Sequence, residues 1–420
     1  MYKKSKLKNG VRIITAPLKG TNTVTVLVMV DTGSKNENAK NRGISHFLEH
    51  MFFKGTEKRP TKLDISKELD KIGGAFNAFT GKEHTGFWAK VDKKHSDVAL
   101  DVISDMLLNS KFSAKDIREE RGTVIEELNM FFDNPIMKIP FLFEEVLYPN
   151  HPMGWDVGGT KKTMNAVKRK DFINYYKKYY NGDNTIIAIV GNFNESEIKR
   201  KVKKYFISSN KNKSEKQIEA YDKQNKPEFL IEYKKTDQTH LCLGVRGYNV
   251  NHKDKYVLSV LSVILGGNMS ARLYASIVEK GWAYYIYTSS ENYKNVGYFA
   301  AQSGVNNKKC LEAIKIILDE FKKVKEEKIS AEEIKRAKDY IKGRTNIALE
   351  SSDAVANFVA NQEISSGKIL TPQEKFAKID AVTAEDLQRV ANDIFIDNKL
   401  NLALIGPFKN KRVFEKILKF

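Results

Sequence analysis

Cysteine is almost absent: only Cys242 and Cys310 occur in 420 residues, and they stand far apart. Two distant thiols build neither a disulfide framework nor a metal-binding pair, so they read as buried free thiols in a reducing compartment. Long apolar runs are missing too. The longest, such as residues 186–190, fall far short of the ~20 residues that span a bilayer. The start of the chain is charged and then strand-like, with no apolar segment and no small-residue cleavage site. No secretory signal is expected, and the cytoplasm is the default compartment. There is no zinc finger, no aromatic-basic RNA-binding motif and no Gly-rich phosphate loop. The net charge of +19 is mostly scattered lysine, as at Lys161-Lys162 and Lys203-Lys204, which reads as a solvated surface. Neither nucleic acid nor membrane is therefore an expected partner.

What is present suits a globular enzyme. A hydrophobic content of 41%, with 10% aromatics, is ample for packed cores, and the length suggests two or three domains. The chain also repeats itself. Residues 112–117 resemble 329–334, each with a serine (Ser113, Ser330) placed as an N-cap before a charged amphipathic run. Residues 166–172 resemble 381–387, and the strand-like 187–193 resembles 402–408. Three collinear matches at nearly constant spacing indicate a duplication. The polar, aperiodic stretch around 208–216 separates the halves as a solvated linker. Each half opens with β-rich alternation, continues through helical patterns and closes on a strand. The expected fold is α+β, with two homologous domains, each a mostly antiparallel sheet with helices packed on one face. The expected bounds are 1–208 for the first domain, 209–226 for the linker and 227–420 for the second.

The first half holds His46, Glu49 and His50. Positions four apart on a helix share a face, so both imidazoles can meet one ion. Glu49 shares that face and is placed to take a proton from metal-bound water. This is the inverted zincin pattern H-x-x-E-H. Ser45 is the expected cap of the helix. A catalytic zinc usually takes three protein ligands. Glu120 and Glu127, two helical turns apart, share a face flanked by Ile117, Val124 and Leu128. A glutamate on an inward face needs a partner, and a dication is a strong one. Glu127 is accordingly the expected third ligand, while Glu119 and Glu126 fall about a hundred degrees away, toward solvent.

These residues resemble the pitrilysin (insulinase-like) metallopeptidases, with similarity along essentially the whole chain. The resemblance is carried by residues 46–56, 73–80, the helix bearing Glu120 and Glu127, and 265–273. The length resembles the short-chain branch that includes the mitochondrial processing peptidase subunits and bacterial homologues. The resemblance implies two homologous domains, with one zinc per chain in the first only. It implies an endopeptidase that hydrolyses unfolded peptides inside an enclosed chamber, with Glu49 activating a zinc-bound water. It makes Glu120 a supporting acid and places Asn77 and Ala78 on a substrate-binding edge strand. Phe53 falls either in the pocket beyond the scissile bond or in the core. Tyr284 matches a substrate-reaching tyrosine. The family's arginine seven residues earlier is missing, since Ile277 stands there; Lys280 is the nearest cation and lacks arginine's planar fork. A homodimer is the implied assembly. The alternatives are a heterodimer whose related partner supplies the arginine-tyrosine pair, and a non-catalytic core subunit. His84, His95, His151, His240 and His252 show no ligand spacing; His84, just after the substrate strand, is the one to watch.

Overall fold

The structure, a computed structural model, describes residues 2–207, 219–220 and 223–420. Of the expected linker, residues 209–218, 221 and 222 lie outside the described residues. In chain order, the principal elements of the first half begin with β1 (Lys3–Lys6), β2 (Arg12–Pro17), β3 (Thr23–Val30), α1 (Ile44–Phe52), β4 (Ala75–Thr80) and β5 (Thr85–Asp92). They continue with α2 (Ser96–Asn109), α3 (Ala114–Asp133), α4 (Pro135–Leu147), α5 (Arg169–Tyr179) and β6 (Thr185–Gly191). The second half holds β7 (Glu228–Tyr233), β8 (Gln238–Arg246), α6 (Lys255–Gly266), β9 (Ala283–Asn292) and β10 (Gly297–Asn306). It closes with α7 (Cys310–Glu326), α8 (Ala331–Ala348), α9 (Ser352–Ser366), α10 (Ala384–Ile394) and β11 (Leu400–Gly406).

The duplication is visible as topology. The first sheet has the order β1-β2-β6-β3-β5-β4 and the second β7-β11-β8-β10-β9. Apart from the extra edge strand β1, each position in one has its counterpart in the other. The parallel pair recurs too, as β2 with β6 and β7 with β11, while all other pairs are antiparallel. Ser113 and Ser330 accept from the backbone N–H three residues on, at 3.1 and 3.2 Å, and so cap α3 and α8 as expected.

The expectation of helices on one face only is corrected. Residues 185–191 are buried throughout, as befits a strand covered on both sides. One face of the first sheet presents Ile14, Leu27, Met29, Ile186 and Ala188 to Ala356, Val359, Ala360 and Ile364 of α9. The other face packs against α2. In the second sheet Cys242, Ala300, Ala403 and Ile405 meet Ile139, Phe143 and Leu147 of α4. Leu241, Leu243, Leu402 and Leu404 form the opposite core with residues of α6, α7 and α10. Each compact unit thus takes a helix from the other half of the sequence: one comprises 1–129, 155–218 and 347–369, the other 130–154, 219–346 and 370–420. The contiguous bounds read from the sequence differ from these units for that reason. Both cysteines are free and buried. Among the described residues no helix is long and apolar enough to cross a membrane.

Candidate metal centre

Helix α1 has an apolar stripe and a polar one. Ile44, Phe47, Leu48, Met51 and Phe52 are fully buried, and Phe52 sits in an aromatic cluster with Phe87, Phe112 and Tyr180. That packing turns His46, Glu49 and His50 to the other side. Ser45 lies inside the helix and is not its cap. The cap position is Gly43, at φ +88°, where a Cβ would stand 2.4 Å from the Gly158 carbonyl oxygen. Only glycine suits that conformation and that space. The free helical N–H groups go to a residue outside the motif: the buried Glu37 accepts from Gly43 at 2.7 Å and from Ser45 at 2.9 Å. The Ser45 hydroxyl bonds Tyr175 at 2.7 Å.

Helix α3 buries Ile117, Glu120, Val124 and Leu128, and Glu119 and Glu126 are exposed, as the spacing predicts. Arg121 fixes the helix by donating to the carbonyls of Met164 and Val167, both at 2.9 Å. Glu127 then meets the two histidines. The Nε2 atoms of His46 and His50 are 3.3 Å apart, and the Glu127 carboxylate lies 3.6 Å from the first and 3.3 Å from the second. Two ligands about 2.0–2.2 Å from a tetrahedral zinc ion lie roughly 3.3–3.6 Å apart. The two imidazole nitrogens have that separation, and the Glu127 carboxylate presents Oε1 to His46 and Oε2 to His50 at similar distances, so the three side chains would suit one zinc ion. They are also the one group among the described residues whose ligand atoms converge in this way.

The surroundings fit a cation. Glu120 Oε1 lies 2.9 Å from His50 Nδ1; a proton held there leaves Nε2 free to ligate. Glu120 in turn pairs with Lys54. Burial opposes ionisation of Glu120, but its bonds to His50 and Lys54 prevail and lower its pKa. Hydrogen bonds from His46 and His50 hold Glu127 well below the usual carboxylate range. Burial works against a charge on His50, yet its two glutamates outweigh that and raise it to about 9. The imidazole thus binds a proton firmly where an ion would replace it. Glu49 behaves oppositely: burial raises its pKa against the hydrogen bond from Thr80. A carboxylate on the same helix face as the ligands, and not among them, is placed for general-base work. His46 Nδ1 is buried without a hydrogen-bond partner among the described residues.

The remaining candidates are spread out. Phe53 is half-buried at the C-terminal end of α1. Asn77 and Ala78 lie on β4, the outermost strand of the first sheet; Asn77 is exposed, and its side chain accepts from the Ala78 N–H at 2.9 Å. Tyr284 belongs to the other unit, on its outermost strand β9, and is 85% exposed. Ile277 is fully buried in that unit's core, so no cation stands there, and Lys280 lies over the Trp282 ring. His84 packs edge-on against Phe79. Sequence reasoning gave no role to Glu37, Lys54 or Thr80. Lys54 and Thr80 lie inside the quoted motifs, which were the only signal; Glu37 had none.

The chain is similar to known proteins along nearly its whole length. Residues 12–161 match the family described as "Insulinase (Peptidase family M16)", and 166–341 match "Peptidase M16 inactive domain". The chain is 34% identical to an uncharacterized zinc protease of Bacillus subtilis, YmxG, covering 98% of this chain and 99% of that one. It is 32% identical to an uncharacterized zinc protease of Streptomyces coelicolor, covering 98% and 90%. Among solved structures, a protease from Helicobacter pylori superimposes with a TM-score of 0.91 at 26% identity, over 97% of this chain and 99% of that one.

Proposed function

Because this chain belongs to the insulinase (M16) family of peptidases, we propose that it is a zinc-dependent endopeptidase acting on extended, unfolded peptides. The observation that carries this reading is the convergence of His46, His50 and Glu127 on one point, with Glu49 on the same helix face and outside the ligand set. A zinc ion held there supplies Lewis acidity, polarising an oxygen and acidifying water.

The chain's own residues do the rest. His46, His50 and Glu127 bind and leave one position open. Glu120 holds His50 in the ligating tautomer. Glu49 takes the proton of the attacking water and returns it to the leaving nitrogen, so that a C–N bond breaks, a C–O bond forms and the carboxylate is regenerated. The outer edge of β4 has no strand partner among the described residues, which supports recognition by strand addition, with Asn77 and Ala78 on that edge. Main-chain pairing of this kind asks for an extended substrate and little particular sequence. Phe53 is assigned to the pocket beyond the scissile bond, and Tyr284 to a hydrogen bond on the developing oxyanion.

The test is cleavage of a quenched fluorogenic peptide by the wild type beside Glu49→Gln, with zinc measured on both. The variant is expected to keep zinc and lose turnover by roughly two to four orders of magnitude; near-normal turnover sinks the assignment. The second reading is favoured by the buried Ile277 where the family resemblance implies an arginine. On it, this chain is the zinc-bearing subunit of a two-chain chamber whose partner supplies the missing cation, instead of one of two identical copies. Zinc on both proteins with cleavage by neither, restored by a second related chain, selects it.

A further inference from the structure

Thr80 is the last residue of β4, and its hydroxyl donates to Glu49 Oε2 at 2.5 Å. We propose that Thr80 is a positioning residue for Glu49: it pins one carboxylate oxygen so that the other is free to work at the metal centre. The inference rests on the peptidase reading and adds to it how the base is held.

The strand register explains why Thr80 reaches α1. Phe76, Ala78 and Thr80 share one face of β4, opposite Ala89, Phe87 and Thr85 of β5, and Phe87 packs on Phe52 of α1. The anchor itself is held firmly. The hairpin closes by Gly81 N–H to the His84 carbonyl at 2.9 Å, and the Thr85 hydroxyl donates to the Thr32 carbonyl at 2.9 Å. The Ser34 and Lys35 N–H groups bond the carbonyls of Gly81 and Lys82 at 3.1 and 2.8 Å. The buried pair Lys35–Glu83, at 2.8 Å, ties the same two segments. On the other side Glu37 fixes the start of α1. The Thr80–Glu49 bond therefore joins two rigid elements, the edge strand and the helix carrying the base.

The proton count is consistent. Threonine has one hydroxyl proton, and giving it to Oε2 requires that oxygen to accept. The water's proton then goes to Oε1, while Oε2 keeps accepting from Thr80. Glu49 can gain and lose a proton without releasing its rotamer. A glutamate without that tether spreads over its rotamers and presents the basic oxygen only part of the time.

Thr80→Val keeps the branched shape and deletes the hydroxyl; Thr80→Ser keeps the hydroxyl. On the zinc-loaded protein, Thr80→Val is expected to lower kcat roughly 10- to 100-fold, the range for losing a hydrogen bond to a charged group. KM and zinc content should stay within about twofold, and Thr80→Ser should restore most of kcat. Normal kcat in Thr80→Val overturns the proposal, as does equal loss in both variants, which would make the residue a packing element. A rise in KM alone also overturns it, because Thr80 would then serve peptide binding. Crystal structures of wild type and Thr80→Val read the tether without turnover. Glu49 in one conformer in the first and several in the second supports the proposal; one unchanged conformer in both defeats it. That reading stands even if Glu49→Gln proves active and the peptidase assignment falls.

Discussion

His50 stands between two carboxylates, Glu120 on Nδ1 and Glu127 on Nε2, and its place is contested by a proton and a metal. Without an ion its pKa is raised from 6.5 to about 9. The stability this gives the metal-free protein is fully present below pH 6.5 and is lost as pH rises through about 9. Zinc must displace that proton, so apparent zinc affinity should rise about tenfold per pH unit from neutral pH up to about 9 and then level off. Chelator competition between pH 6.5 and 10 reads the slope, and a flat profile would contradict the geometry. At this scale much of the site was legible, because His46, Glu49, His50 and Glu127 lie on regular helices whose spacing fixes which side chains share a face. Thr80 and Lys54 were not, because a hydroxyl or an ammonium finds its carboxylate only once a strand or a second helix has been laid beside α1.

At the scale of the element, the start of α1 shows how a local rule is overridden. A serine before a helical run ordinarily caps it; here the capping group is the carboxylate of Glu37, delivered by a preceding loop, and the turn is made by Gly43. Gly43→Ala puts a side chain at φ +88° against the Gly158 carbonyl and should destabilise the protein by more than about 1 kcal/mol, seen as a lower urea midpoint. Zinc binding should weaken with it, because His46 sits in the first turn. An unchanged midpoint would mean that the loop relaxes at no cost.

At the scale of the molecule, the halves are not self-contained. The first sheet needs α9, whose Ala356, Val359, Ala360 and Ile364 cover Leu27, Met29, Ile186 and Ala188. A fragment of residues 1–207 therefore leaves one face of its sheet bare and should not fold alone, since an exposed apolar face of that kind drives aggregation. Co-expression with the remaining chain should restore it. Circular dichroism and solubility of the fragment decide the matter, and a cooperative soluble fragment would show that α9 is dispensable. The duplication was readable because repeated strands and caps leave repeated letters. The reciprocal exchange of α4 and α9 was not, since a helix covering a sheet looks the same in sequence whichever sheet it covers.

By itself the sequence determined the duplicated α+β plan, the helical spacing that puts His46, Glu49 and His50 on one face, and the inward register of Glu127; the first follows from segments repeated along the chain, the others from periodicity within single helices. Only the tertiary structure decided the 3.3–3.6 Å distances among the three ligand side chains, the tether from Thr80 to Glu49, the capping of α1 by Glu37 and the exchange of helices between the halves of the sequence. Those depend on how separate elements pack, and side-chain contact across distant segments is set by the sum of many weak interactions that no local pattern records.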